Sequence, residues 1–196
     1  MQAKNSSSKT SSKKTKFTAL ALIVVFILPV VLAKLALDND WFNKGATNRG
    51  QLLDPIIDAS SVFVDTSEEP HWRLSYVIPE SCDVACENAV FSISQVRKAV
   101  GREMDRVDAV FIATENSDTK AVANVVSKEY GKLLNLDSEN VNKLFKQVGN
   151  DGIFIIDTLG NVVLRYDITL ERDQAIMDSR DILADLRKLL KLSRIG

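Results

Sequence analysis

The chain has 196 residues, of which 45% are apolar and 26% charged, with 25 basic against 26 acidic side chains, two cysteines and one histidine. That length suits one ordinary domain plus an appendage; the apolar fraction excludes an intrinsically disordered protein, and the balanced charge argues against nucleic-acid binding. Two cysteines exclude a disulfide-rich scaffold, and a single histidine excludes a three-histidine zinc site, a Cys2His2 finger, and any Ser-His-Asp triad that does not run through His71.

Charge is unevenly placed. Residues 1–16 carry five lysines and no acid, and are rich in serine, so they read as a disordered basic tip. From Asp38 onward 19 basic residues face all 26 acidic ones, a net charge of −7. Between them Phe17–Ala33 is uncharged, and the run extends past Lys34 to Leu37, giving 21 residues. A helix needs about 20 residues to cross a bilayer. Residues 17–37 are therefore expected to be a transmembrane helix in contact with lipid, with Lys34 snorkelling and Trp41 and Phe42 at headgroup level. The positive-inside rule places the N-terminus in the cytoplasm and the acidic body outside. The competing reading is a signal peptide cleaved after Val31-Leu-Ala33; the run is longer than the roughly 7–15 residues of a signal core.

Residues 38–60, with Gly45, Gly50 and several Asn and Asp, read as a juxtamembrane linker, and 61–196 as the folded domain. Residues 73–78 read as a strand ending at Pro79. Residues 84–100 follow as a helix with Ala85, Ala89, Ile93, Val96 and Val100 on one face and Gly101 as its stop. The apolar run 107–113 predicts a buried strand. Helices are expected over 117 to about 134, with Val122, Val125, Val126 and Tyr130 inward, and over 138–148. Residues 153–156 and 162–166 flank Asp157-Thr-Leu-Gly-Asn161 as a hairpin, and a last helix spans about 174–190. Strands joined through a helix should lie parallel, with helices covering both faces. The α/β order matches a thioredoxin-like fold, a mixed sheet with one extra helix before the usual middle helix.

Cys82 and Cys86 sit where the first core strand gives way to the first long helix. The i, i+4 spacing puts both sulfurs on one side of a helix, about a turn apart. At a helix N-terminus backbone N–H groups favour a thiolate, and the carboxyl ends of strands are where α/β sheets bind ligands. The pair can serve as a reversible disulfide, as a two-thiolate Cu(I) site, or as an inert structural staple. Asp83 and Glu87 read as solvated charges of the first turn. His71 precedes the strand and should lie at the opposite end of the sheet, roughly 20 Å or more from the cysteines. The methionines read as packing residues.

The membrane run, the strand ending in proline, the CxxxC at a helix start and the late FIID hairpin resemble the SCO/SenC group of copper-linked thioredoxin-fold proteins. More narrowly, Trp41-Phe-Asn-Lys-Gly45, Tyr76-Val-Ile-Pro-Glu-Ser-Cys-Asp-Val-Ala-Cys86, Gln95-Val-Arg97, Ile155-Ile-Asp-Thr-Leu-Gly-Asn161 and the C-terminal stretch from Asp185 are similar to a small membrane protein of proteobacterial cytochrome c oxidase gene clusters. The resemblance implies an assembly factor for a haem-copper oxidase, partnered by oxidase subunits or other assembly factors. It would handle copper or thiol redox through Cys82 and Cys86, the redox pair and the Cu(I) ligands. The group's copper histidine has no counterpart: Val148-Gly-Asn-Asp-Gly-Ile153 contains none, and Glu87 stands where a proline usually follows the second cysteine. The alternatives are a dedicated thiol-disulfide oxidoreductase and a non-catalytic interaction protein with a structural disulfide.

Overall fold

The computed structural model describes residues 11–38, 48–63 and 69–193, which fall in two units divided between Thr47 and Asn48. The first holds one helix, α1 (Ser11–Asp38), with Pro29 inside it. Its Lys16–Ala36 segment has a mean hydropathy of 2.7 and is long and apolar enough to cross a membrane. The helix starts before the basic tip ends, at Ser11 rather than Phe17. Trp41 and Phe42 lie outside the described residues.

The second unit is a six-stranded mixed sheet in the order β1-β6-β5-β2-β3-β4. Its strands are β1 (Gln51–Asp58), β2 (Trp72–Val77), β3 (Val107–Ala113), β4 (Lys132–Asn135), β5 (Gly152–Ile156) and β6 (Asn161–Asp167). Its helices are α2 (Ser60–Phe63), α3 (Val84–Ala99), α4 (Thr119–Ser127), α5 (Ser138–Leu144) and α6 (Arg172–Leu192), with a 3-10 turn at Gly101–Arg106. β2, β3 and β4 run parallel, and β5 and β6 are antiparallel to their neighbours.

Side chains alternate across this sheet as the two-residue period requires. Trp72, Leu74 and Tyr76 of β2, with Phe111 of β3 and Ile153 and Ile155 of β5, pack against α3 and α6. Val77, Ile112, Phe154 and Ile156 face the other way, onto Val141 and Phe145 at α5 and Phe63 of α2. Phe145 stacks on Phe154 at 4.6 Å. Both faces are covered, so the central strands are buried along their whole length. All five residues expected on the inner face of the first long helix are buried.

Two expectations need correction. Residues 51–58, read as linker, form β1, which pairs antiparallel with β6 from Gln51↔Arg165 to Asp58↔Asn161. Pro55 and the charged Asp54 disguised the strand; they sit where the register shifts between Leu52 and Ile57, on an edge strand where a missing N–H is tolerated. Gly50 is buried, and a Cβ there would meet the Tyr166 ring at 2.4 Å. The helix expected over 117–134 ends at Ser127; Glu129 takes a φ of 50°, and Lys132–Asn135 becomes the parallel edge strand β4. Here apolar side chains at helical spacing continue across a chain reversal, so periodicity ran past the true end. Val126, expected inward, is exposed on α4, while Val125 is buried.

Candidate functional site

The site is assembled where β2 and β3 end. Ile78 donates its N–H to Ile112 at 2.8 Å, and its own carbonyl accepts the Ser117 hydroxyl at 2.6 Å. The Pro79 carbonyl accepts the Asp118 N–H at 2.8 Å. These bonds clamp the loop carrying the cysteines onto the loop after β3.

Cys82 lies two residues before α3 and Cys86 in its first turn; they form a disulfide with Cα atoms 5.2 Å apart. Asp83 is the N-cap of α3, its Oδ1 accepting the Cys86 N–H at 3.0 Å. A carboxylate in this place satisfies an otherwise unpaired helix donor and fixes where Cys86 enters the helix. Asp83 is thus more than the solvated charge expected of it, although its side chain remains exposed.

Asp118, which the sequence reading missed, holds the other cysteine. Its Oδ2 accepts the Cys82 N–H at 3.3 Å, while its Oδ1 caps α4 through Lys120 N–H at 2.8 Å and Ala121 N–H at 3.0 Å. The Ala121 and Cys82 amides hold its carboxyl below the usual carboxylate range. The signal available was an Asp two residues before an apolar helical pattern; nothing local pointed to a residue 36 positions away.

The two sulfurs are unequal. Cys86 is fully buried among Ala89, Val90 and Tyr76, whereas Cys82 is partly exposed. Cys82 lines a groove of about 510 Å³ between α3 and α4, with Phe91, Tyr130 and Lys120 among its walls. Asp83 lines a second groove of about 420 Å³, bordered by Pro79, Asn150 and Asp151 ahead of β5. Burial, reinforced by the Asp83 and Asp151 charges, pushes the Tyr76 hydroxyl at that second groove well above its ordinary range.

Nearby, Asn88 is buried and ties α3 to the β6–α6 loop. Its amide donates to the carbonyls of Thr169 and Leu170 at 3.0 and 3.3 Å, and its oxygen accepts from Arg172 at 2.8 Å. Arg172 in turn stacks over Phe91 at 3.6 Å.

His71 is where the sequence placed it, before β2 at the end of the sheet opposite the cysteines, its Nδ1 3.2 Å from Asp108 Oδ2. Met104 lies in the 3-10 turn at that end, and Met177 is exposed on α6 rather than packed. No proline occurs after Pro79, so the approach to β5 has none. Among the described residues no group of three or more His, Cys, Asp or Glu side chains could hold a metal. In the disulfide form the pair offers no thiolate; its reduction would free two, a soft donor pair that suits Cu(I), without a third soft ligand beside it, because the nearby Asp83 and Asp118 carboxylates are hard oxygen donors already engaged with backbone N–H groups.

Solved structures resemble the chain at low identity. The apo Sco1 protein of Thermus thermophilus superposes with a TM-score of 0.51 at 16% identity, over 75% of this chain and 99% of that one. ScoI of Bradyrhizobium japonicum, solved with copper bound, gives 0.40 at 20% identity over 67% and 97%. A thiol:disulfide interchange protein from Bacteroides sp. gives 0.43 at 15% over 71% and 88%. No curated protein matches the chain in sequence. A family profile described as transmembrane-like, thioredoxin-like, C-terminal domain matches residues 72–193, from the start of β2 to the end of α6, and the chain belongs to that family.

Proposed function

We propose that this chain is a membrane-tethered thiol-disulfide protein that reduces a disulfide on one dedicated partner, with Cys82 as the attacking sulfur and Cys86 as the resolving one. The observation that supports this reading is the asymmetry of the pair: Cys82 is open to a groove at the carboxyl edge of the sheet, and Cys86 is buried one helical turn behind it. An inert staple needs no such division.

In the reduced protein, the Cys82 thiolate attacks one sulfur of the partner's disulfide. The S–S bond breaks, a mixed disulfide forms, and the partner's other sulfur leaves as a thiolate. The Cys86 thiolate then attacks Cys82 Sγ, releasing the partner's second thiolate and leaving the Cys82–Cys86 disulfide. Two electrons pass to the partner, whose thiolates take up the protons lost by the cysteines. A dithiol reductant must then restore the pair. The α1 anchor confines the search to the membrane surface and raises the effective concentration of membrane-borne partners. The partner we favour is a subunit of a haem-copper oxidase or another of its assembly factors, on the periplasmic side of a bacterial inner membrane. The support for it is the set of residue stretches from Tyr76 to Cys86 and from Ile155 to Asn161 described above.

The test uses the full chain in nanodiscs. The Cys82–Cys86 reduction potential is measured against a glutathione redox series, and Cu(I) is titrated into the reduced protein against a competing chelator. A reversible two-electron couple with weak copper binding is expected. Tight one-to-one Cu(I) binding lost in Cys82→Ser would replace the redox role by copper delivery, and a pair that no thiol buffer reduces would make it a structural staple.

A further inference from the structure

The Cys82 groove is built by an element that the sequence reading counted as extra. α4 and β4 lie between β3 and the α5 helix of the other face, and α4 packs through Val125, Ala121 and Val122 on the same side of the sheet as α3. Cys82 lines the α3/α4 groove and not the groove ahead of β5. A partner sulfur reaching Cys82 therefore meets α4 first.

The walls of that groove differ in charge from the body around them. The body as a whole is acidic, with a net −7 from Asp38 onward. The groove carries three cations, Lys120, Lys128 and Arg172, against two carboxylates, Glu87 and Asp118. Asp118 already accepts three backbone N–H groups. Lys120 and Lys128 are exposed, one at each end of α4, and Lys128 also sits 5.7 Å from the Tyr130 ring. Phe91 and Tyr130 supply apolar surface between the charges, and Arg172 is held over the Phe91 ring. Cations at both ends of a groove with aromatic walls complement an extended peptide bearing carboxylates.

We infer that the α3/α4 groove is the docking site for an acidic segment of the partner polypeptide, which lays the partner's cysteine against Cys82. This rests on the redox reading above and adds the partner's chemistry: Asp or Glu within a few residues of the target cysteine, seated between Lys120 and Lys128.

The test separates docking from chemistry. Binding of fluorescent peptides with serine in place of cysteine, flanked by Asp, Asn or Lys, is measured on the oxidised full chain in nanodiscs. The acidic peptide should bind at least about fivefold more tightly than the basic one at 20 mM salt, with the preference collapsing at 500 mM. The Lys120→Glu/Lys128→Glu variant should invert the order, while Lys143→Glu/Lys146→Glu, on and just after α5 at the other face, should leave it intact. Equal affinity for all peptides, or a preference that the α5 pair abolishes as fully as the α4 pair, would overturn the docking site. Reaction of reduced protein with neutral hydroxyethyl disulfide is followed separately: inertness there sinks the redox reading, whatever the peptides do.

Discussion

Two aspartates define how the cysteines are held, and each has a distinct consequence. Asp83 both caps α3 and places a negative charge beside the sulfurs. Serine caps nearly as well without the charge. Asp83→Ser should keep stability within about 0.5 kcal/mol and make the couple more oxidising by on the order of 10 mV, because the reduced thiolate is no longer opposed by a neighbouring anion. Asp83→Ala should shift the potential alike but also lower stability by about 1 kcal/mol in urea unfolding. Asp118 carries a pH signature. Its carboxyl is held below the usual range by the Ala121 and Cys82 amides, so its contribution is fully present above the unfolded value of about 4 and is lost as pH falls through the lower folded value. Protection of the Cys82 and Ala121 amides against exchange, taken relative to their intrinsic rates, should fall through that acid window, and Asp118→Asn should remove the dependence. Asp118 was missed because its role is tertiary: the residue it holds belongs to another loop.

At the scale of elements, the loops after β2 and β3 act as one unit because Ser117 bridges them. Its hydroxyl donates to Ile78 and accepts from the Thr114 N–H at 2.9 Å, and the side chain is buried. Ser117→Ala leaves a buried carbonyl and a half-buried N–H unpaired, which should cost about 1–3 kcal/mol. Faster exchange at the Thr114 amide, with α6 amides unchanged, would show that the loss is local. The ends of α4 and β4 were the least legible part of the chain. α4 is only nine residues long, and its apolar pattern continues into the turn where Gly131 lets the chain pass against β3: a Cβ there would stand 2.4 Å from the Ala109 carbonyl oxygen. The need for glycine comes from a strand packed alongside, which no local pattern records. By contrast α3 and α6 were legible because 16 and 21 residues give several full periods of an amphipathic face.

Across the whole domain, β1 is locked to α6 by a buried carboxylate. Asp185 is fully buried, and its Oδ2 accepts the Arg49 N–H at 2.7 Å, the Gly50 N–H at 3.0 Å and the Tyr166 hydroxyl at 2.9 Å. Arg49 adds a bond from its guanidinium to Asp181. Burial, together with the Asp185 carboxylate, pushes the Tyr166 hydroxyl far above its ordinary range, so it remains a donor throughout the physiological range. Asp185→Ala should strand three donors and lower stability by about 3 kcal/mol, read as a urea midpoint shift with an unchanged slope. If the loss is below about 0.5 kcal/mol, the latch is not a determinant of the fold.

The sequence alone determined the features that depend on near neighbours: an apolar run long enough to cross a membrane, the strand–helix order of a thioredoxin-like fold, and a CxxxC pair at a helix start. Each is written in composition, periodicity or capping within about 20 residues, where helix and strand geometry are set by local backbone and solvent contacts. Tertiary structure decided the rest. It made an apparent linker into an edge strand, buried one cysteine and left the other open, and brought Asp118 to Cys82 and Asp185 to Gly50. Those outcomes depend on which groups a folded sheet brings together across 36 and 135 positions of chain, and only packing chooses them.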